Sequence, residues 1–364
     1  MSDLDEVRLV VDGREFMGWK SVRVTTGIDR VARDFDLSVT EDWPGSNAAG
    51  MRVQPGQSCE LWFGGDKMLT GWIDAAPIAY DATSIKVSVK GRSKTADLVD
   101  CSAPDKPGQY MGLSVLSLAS ELARPFGVSV RSESGLQDPI SDVQVEQGET
   151  AFNVLDKVLR LRALLATDDG DGNLVLTRAG GVRNATALVL GENILTGQAE
   201  RDAAKRFRTY IVKGQRSGSD EDFGVSASEG EGSATDSAIR AQRRKVTVAS
   251  GQADGRMCAD QAAWECASAF GNSWKATYTV QGWRQGDGAL WAPNSNVFVD
   301  DDLIGFKTEL LIGEVEYSLS ESGTICTLTV APPGAWTPSP QAPKAKSNGK
   351  FADLKPGDPA DGFD

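Results

Sequence analysis

The chain has 364 residues, is 40% hydrophobic and 24% charged, carries a formal net charge of −13 and contains no histidine. That length leads us to expect two to four domains with their own cores. The acidity disfavours tight binding to a phosphate backbone. Without histidine there can be no Ser-His or Cys-His nucleophile and no two-histidine zinc site, which leaves paired carboxylates or lysine for any enzyme chemistry.

No stretch approaches the roughly 20 apolar residues of a membrane span. The acidic start, Met1-Ser2-Asp3-Leu4-Asp5-Glu6, lacks the basic and apolar regions of a signal peptide, so the protein is expected to stay in the cytoplasm or leave it by lysis or assembly. Cys59, Cys101, Cys258, Cys266 and Cys326 are scattered without a C-x-x-C pair. They read as small buried hydrophobes more than as a disulfide framework or zinc site.

From Val7 to Gly91 the pattern is β-rich. Val7-Leu9-Val11 alternates, Asp12-Gly13 is a hairpin signal, and Val22-Val24 and Phe35-Leu37-Val39 continue the alternation. Glu60 to Phe63, a turn at Gly64-Gly65-Asp66, Met68 to Ile73 and Ile85-Val87-Val89 follow. Short strands at this spacing predict a sandwich or small barrel.

The texture then changes. Thr95 to Val99 reads as a short helix, and Leu113 to Leu122 as a helix closed by Pro125. After a strand at Val128 to Val130, Thr150 is a plausible N-cap for a helix with Phe152, Leu155, Val158 and Leu159 on one face. The strand Leu174-Val175-Leu176 completes a compact α/β unit.

Leu188-Val189-Leu190, Ile194 and Tyr210-Ile211-Val212 return to β structure. Gly214 to Ala241 is rich in Ser, Gly, Asp and Glu and reads as an exposed, mobile insertion. After Val246-Thr247-Val248, Asp254 to Phe270 is an alanine-rich helix carrying Trp264. Lys275 to Trp283, Val297 to Val299, Leu310 to Leu319 and Ile325 to Val330 close a second β region, and the residues beyond Pro332 read as a disordered tail.

The two β regions share a pattern. Pro55-Gly56-Gln57, Cys59 to Phe63, Leu69-Thr70-Gly71-Trp72-Ile73-Asp74 and Ile85 to Lys90 run parallel to Pro293-Asn294-Ser295, Val297 to Asp300, Leu311-Ile312-Gly313-Glu314-Val315-Glu316 and Cys326 to Val330. The expected fold is α+β, predominantly β, with two similar small β-barrel, tube-like domains flanking an α/β middle domain. The boundaries are 1–94, 95–181 and 182–335, with a flexible acidic insertion at about 214–245 and a tail at 336–364. Residues 7–91 and the β part of 182–331 are expected to superimpose.

Candidate chemistry is thin. Asp168-Asp169-Gly170-Asp171-Gly172-Asn173 hints at a calcium loop, but position twelve from Asp169 is Gly180 and not the required glutamate, so a hairpin turn is the better reading. Asp300-Asp301-Asp302 and Glu314 with Glu316 are the densest carboxylates. Glu314 and Glu316 sit two apart on a strand and so share one face, most simply the wet one, with nothing else suggesting a glycosidase cleft. Gly170-Asp171-Gly172 and Gly286-Asp287-Gly288 lack the context of phosphate loops. Arg240, Arg243, Arg244 and Lys245 follow the acidic stretch Asp220 to Glu231, which favours local charge pairing over DNA contact. Trp19, Trp43, Trp62, Trp72, Trp264, Trp274, Trp283 and Trp291 suit cores and subunit interfaces. No catalytic, cofactor-binding or metal residue is assigned.

The stretch Gly91-Arg92-Ser93-Lys94-Thr95-Ala96-Asp97-Leu98-Val99-Asp100-Cys101 resembles one in the baseplate hub proteins of Mu-like contractile-tailed phages (a tail hub, late control protein D-like family). Further similar pieces follow the same order. They are Asp12-Gly13-Arg14 with Phe16, Gly18-Trp19 and Ser21-Val22; Leu190-Gly191-Glu192-Asn193; Val212-Lys213-Gly214; Gly232 with Ala234-Thr235-Asp236-Ser237; Asp287-Gly288 with Leu290-Trp291 and Pro293-Asn294; and Phe306-Lys307-Thr308 with Glu309-Leu310-Leu311. The resemblance spans about residues 7 to 331 and includes no catalytic motif.

It implies a structural protein of the virion tail baseplate, assembled in the host cytoplasm. The subunit would be a homotrimer giving two tube-like β-domains per chain, a ring of six that adapts the six-fold tail tube to the three-fold central spike. Its implied partners are the tail tube, spike, tape-measure and other baseplate proteins. DNA would pass through without specific binding, and neither cofactor nor membrane insertion is implied. The competing readings are a tail-associated cell-wall hydrolase using carboxylates and a DNA-binding virion protein using Arg240 to Lys245.

Overall fold

The computed structural model describes residues 5–42, 53–104, 106–132, 140, 143–215 and 229–339. Trp43, most of the acidic stretch and residues 340–364 lie outside them.

The N-terminal part is all strand: β1 (Val7–Val11), β2 (Arg14–Phe16), β3 (Ser21–Gly27), β4 (Asp34–Asp42), β5 (Ser58–Phe63), β6 (Asp66–Ala75), β7 (Ile78–Tyr80) and β8 (Ser84–Ser93). The β1–β2 hairpin turns where expected, with Asp12 at φ 48° and Gly13 at φ 76°. That pair of left-handed residues matches the twist of the strands it joins. Alternation sends Val7, Leu9 and Val11 into the core.

Next come α1 (Ala96–Asp100), β9 (Gln109–Tyr110), α2 (Val115–Ala123), β10 (Val130–Ser132), β11 (Val143–Gln144), α3 (Ala151–Leu161), β12 (Leu165–Asp168) and β13 (Leu174–Thr177). Thr150 caps α3 by accepting from Asn153 N at 3.2 Å. α2 and α3 bury Leu118, Leu122, Val154, Leu155 and Val158 with Leu174 and Leu176 of β13, in a core separate from that of the β regions.

The rest contains β14 (Leu188–Val189), β15 (Ile194–Ala199), β16 (Thr209–Gln215), β17 (Glu229–Thr235), β18 (Arg244–Gln252), α4 (Gly255–Asn272), β19 (Ala276–Gln281), β20 (Ser295–Asp301), β21 (Phe306–Ser320) and β22 (Gly323–Ala331). β17, β16 and β18 make a three-stranded sheet lying on α4. This revises the expected insertion at 214–245, because Glu229–Thr235 and the residues from Arg244 are regular strands. Their glycines are the reason. A Cβ on Gly232 would stand 2.0 Å from Ala259 N and one on Gly214 2.7 Å from the Cys258 sulfur, so absent side chains let the sheet press against the helix.

The tail boundary also moves. Trp336 is buried against Gly313, and Trp264 Nε1 donates to Thr337 O at 2.7 Å, so packed structure reaches past 336.

The remaining strands form one continuous path, β15-β19-β22-β21-β3-β4-β8-β6-β5-β1-β2, with β20 and β14 continuing from β21 and β7 on β8. The fold is thus predominantly β. The path carries the same strand order twice, β3-β4-β8-β6-β5-β1 and β15-β19-β22-β21-β20-β14, in matching chain order. One pairing differs: β1 meets β5 antiparallel, while β14 meets β20 parallel.

Candidate assembly interface

The equivalence extends to individual residues. Both β6–β8 and β21–β22 carry a bulge, between Ile73 and Ala75 and between Ile312 and Glu314. Gly56 N donates to Ile73 O at 2.7 Å, and Asn294 N to Ile312 O at 2.8 Å. Gly56 (φ 86°) and Asn294 (φ 59°) are both left-handed. So Pro55-Gly56 and Pro293-Asn294 are the same turn. The Leu-x-Gly alignment, however, slips by three residues: Asp74, not Gly71, stands where Gly313 stands. The bulge residue is the fixed point, and a bulge leaves no mark in apolar periodicity.

The two copies are joined edge to edge. β3 pairs antiparallel with the C-terminal half of β21, from Glu314↔Gly27 to Leu319↔Val22. Beneath that seam Phe63 stacks on Trp283 with ring centroids 4.1 Å apart, and Tyr317 meets Phe63 edge-on at 5.6 Å. Trp283 and Tyr317 are fully buried, and the Tyr317 hydroxyl donates to Trp291 O. Burial pushes the Tyr317 phenol well above its ordinary pKa. The tryptophans singled out for cores and interfaces therefore divide. Trp283 and Trp291 build the shared core, Trp19 is buried within the N-terminal copy, and Trp72 is exposed.

Of the densest carboxylates, Glu314 and Glu316 serve this seam. Glu314 accepts from Arg30 Nε at 2.9 Å and Glu316 pairs with Arg23 at 3.9 Å, so both tie the second copy to the first. Asp301 is buried and accepts from Leu303 N (3.0 Å), Ile304 N (3.1 Å) and the Tyr278 hydroxyl (3.1 Å). Asp300 pairs with Lys307 at 3.2 Å. These four carboxylates are thus held in ion pairs and a turn.

The Asp168–Asn173 loop is a turn that docks the helical part on the first β copy. Asp169 accepts from Asn173 N (2.9 Å), Asp171 N (3.0 Å) and Arg131 Nε (2.9 Å). Burial alone would raise its pKa, yet the bonds from Asn173 and Arg131 outweigh it and hold the carboxyl below the usual range. Asp168 is buried on Arg33, with Nε at 3.0 Å. Burial raises its pKa despite that partner. Thr70 Oγ1 donates to Gly170 O at 2.9 Å and Lys67 pairs with Asp171 at 3.0 Å. Among the described residues no group of three or more potential ligand side chains could hold a metal.

Three family models match the chain. Residues 6–93 match "Mu phage baseplate assembly protein GpP-like, N-terminal", residues 95–178 "Baseplate hub protein gp44-like, second domain", and residues 254–339 "Mu phage baseplate assembly protein GpP, fourth domain". Baseplate hub protein gp44 of Escherichia phage Mu is 35% identical over 338 residues, which cover 90% of this chain and 87% of that one. The chain belongs to the Mu-type baseplate hub family. It is also similar to the 43 kDa tail protein of prophage MuSo2 from Shewanella oneidensis, with 31% identity, TM-score 0.82 and coverage of 91% of this chain and 99% of that one. A tail protein from Neisseria meningitidis shares the fold at 24% identity and TM-score 0.74, over 93% and 99% of the two chains. The hub chain is thus a structural component of a phage tail baseplate, as these relatives are named, and not an enzyme.

Its remaining charged groups fit that role. Two members of the basic cluster have local partners among the described residues, and pairing with the acidic stretch falls largely on residues outside them. Lys245 pairs with Glu265 at 3.0 Å, and Arg243 Nε donates to Arg206 O at 2.8 Å while its guanidinium stacks over Phe207. Burial pushes the Cys59 thiol up to about 12 and Cys326 well above its ordinary value, as for inert core cysteines. No described helix is long and apolar enough to cross a membrane.

Proposed function

We propose that three copies of this hub chain form a ring in which two β units per chain give six near-equivalent positions, joining a six-fold tail tube to a three-fold central spike. The observation behind this reading is the repeated six-strand order, with its two copies already joined edge to edge in one chain. A homotrimer of such a chain presents three-fold symmetry in its helical parts and approximate six-fold symmetry in its β units. Tail tube, spike, tape-measure and other baseplate proteins are the partners this geometry suits. The net charge of −13 suits a channel that DNA crosses without being held.

Electron-microscope class averages of the purified protein test the reading. A ring with six β-unit densities and three-fold symmetry is expected, and compact single chains at micromolar concentration would defeat it. A peptidoglycan zymogram is expected to show no clearing, since Glu314, Glu316, Asp300 and Asp301, of the densest carboxylates, are held in ion pairs and a turn.

A further inference from the structure

The two copies of the β unit differ at one edge. In the C-terminal copy the outer edge of β21 is covered by β3. Counting from the bulges, Ala75 corresponds to Glu314, so Ile78, Ala79 and Tyr80 correspond to Tyr317, Ser318 and Leu319. Their pairings agree, for Ile78↔Val87 on β8 takes the place of Tyr317↔Cys326 on β22. Yet Tyr317 and Leu319 are 2% and 9% exposed, whereas Ile78 and Tyr80 are 62% and 82% exposed. Two large apolar side chains therefore stand in water at positions whose counterparts are core. Pro77 does not blunt this edge. Its carbonyl accepts from Ser88 N at 3.0 Å, so Pro77 faces β8, and alternation turns the N–H and C=O of Ile78 and Tyr80 outward.

The complementary edge lies at the other end of the path. β15 holds the place of β3. Val24↔Phe35 on β4 and Ala199↔Ala276 on β19 are the same pairing, as are Val22↔Leu37 and Gly197↔Tyr278. β3 has neighbours on both sides, but β15 ends the sheet with Leu195 and Gly197 exposed. Among the described residues, one chain thus leaves one β3-like edge and one β21-like edge without a paired strand, and β7 and β15 do not pair with each other.

Resting on the ring reading above, we infer that β15 of one copy pairs antiparallel with β7 of the next, in the register that β3 adopts on β21. The register places Tyr80 opposite Gly197, Ala79 opposite Gln198 and Ile78 opposite Ala199. Large residues then meet small ones, and an aromatic ring covers a strand glycine. The contact is heterologous, so it makes a ring when the rotation closes. It turns the path of each chain into a segment of one uninterrupted sheet.

The test is a register-specific disulfide in full-length protein with Cys101→Ser, which removes the exposed native cysteine. The backbone of Ala79, like that of Pro77, faces β8, so Ala79 and Gln198 would form a non-hydrogen-bonded pair, whose short Cα separation suits a disulfide. The expected result is that A79C/Q198C oxidises to covalently closed trimers, while either single variant and the register-shifted A79C/T196C do not. Tyr80→Asp is expected to keep its circular dichroism and lower the assembled fraction about tenfold or more, since it would bury a charge at the seam. A three-chain particle by light scattering that neither forms the A79C/Q198C disulfide nor responds to Tyr80→Asp overturns this pairing and leaves the ring standing. Disulfide ladders extending past three chains support the pairing and overturn the trimer.

Discussion

The outer edges of β21 and β7 belong to the same strand in two copies of one unit, and they live in opposite surroundings. On β21, Tyr317 sits under β3 against Trp283 and Phe63; on β7, Tyr80 stands in solvent. The strand order and bulge are alike, so the fold of the unit does not decide which edge is buried. The neighbour does. A duplicated β unit thereby gains one junction inside the chain and, among the described residues, keeps one pair of edges without a paired strand.

Substitutions at paired positions separate the two surroundings. Tyr317→Ala removes a fully buried ring from the shared core, and a cost of about 3–5 kcal/mol is expected by denaturant titration. Because that core draws on both copies, they should unfold in one transition; separate transitions would mean that the copies are independent domains.

Arg33→Ala tests the docking of the helical part. It strands the buried Asp168 carboxylate, and about 3 kcal/mol of loss is expected at pH 7. Asp168 already has its folded-state pKa raised by burial, and losing Arg33 raises it further. A carboxyl raised on folding binds its proton more readily folded than unfolded, so its penalty is greatest above the folded pKa and shrinks as pH falls through it. The cost of Arg33→Ala should therefore be smaller at pH 5 than at pH 7. A cost independent of pH would show that Asp168 is not the group left unpaired.

Thr150→Ala removes one N-cap bond of α3, and about 1 kcal/mol is expected by the same titration. Tyr80→Ala is expected to change the stability of the single chain by less than about 0.5 kcal/mol, since it touches only an exposed side chain. An equal cost at Tyr80 and Tyr317 would mean that the two edges share the same surroundings.

Much of this fold was legible from short-range pattern. Alternation at Val7-Leu9-Val11, the Asp12-Gly13 turn and the Thr150 cap are local signals, and each stands where the residues place it. The repeat was visible through Pro55-Gly56 and Pro293-Asn294, because a left-handed residue after proline is a demand on residue type. Its Leu-x-Gly alignment slipped because the bulge at Asp74 and Gly313 consumes a residue without changing composition. Glycines misled at 214–245. Gly214, Gly230 and Gly232 read as flexibility, although they permit close contact with α4. The seam itself was not legible, for nothing in Val22 or Leu319 records that they lie side by side. Glu314 and Glu316 read as a wet face, and only the pairing of β3 shows them reaching Arg30 and Arg23 across two copies.

Whether a chain with two copies of one β unit completes its open edges with further copies of itself is decided by multi-angle light scattering of the wild-type chain beside Tyr80→Asp. The expected result is a wild-type mass three times the 38.7 kDa of one chain and a folded single chain for the variant. Identical masses for the two proteins would contradict it.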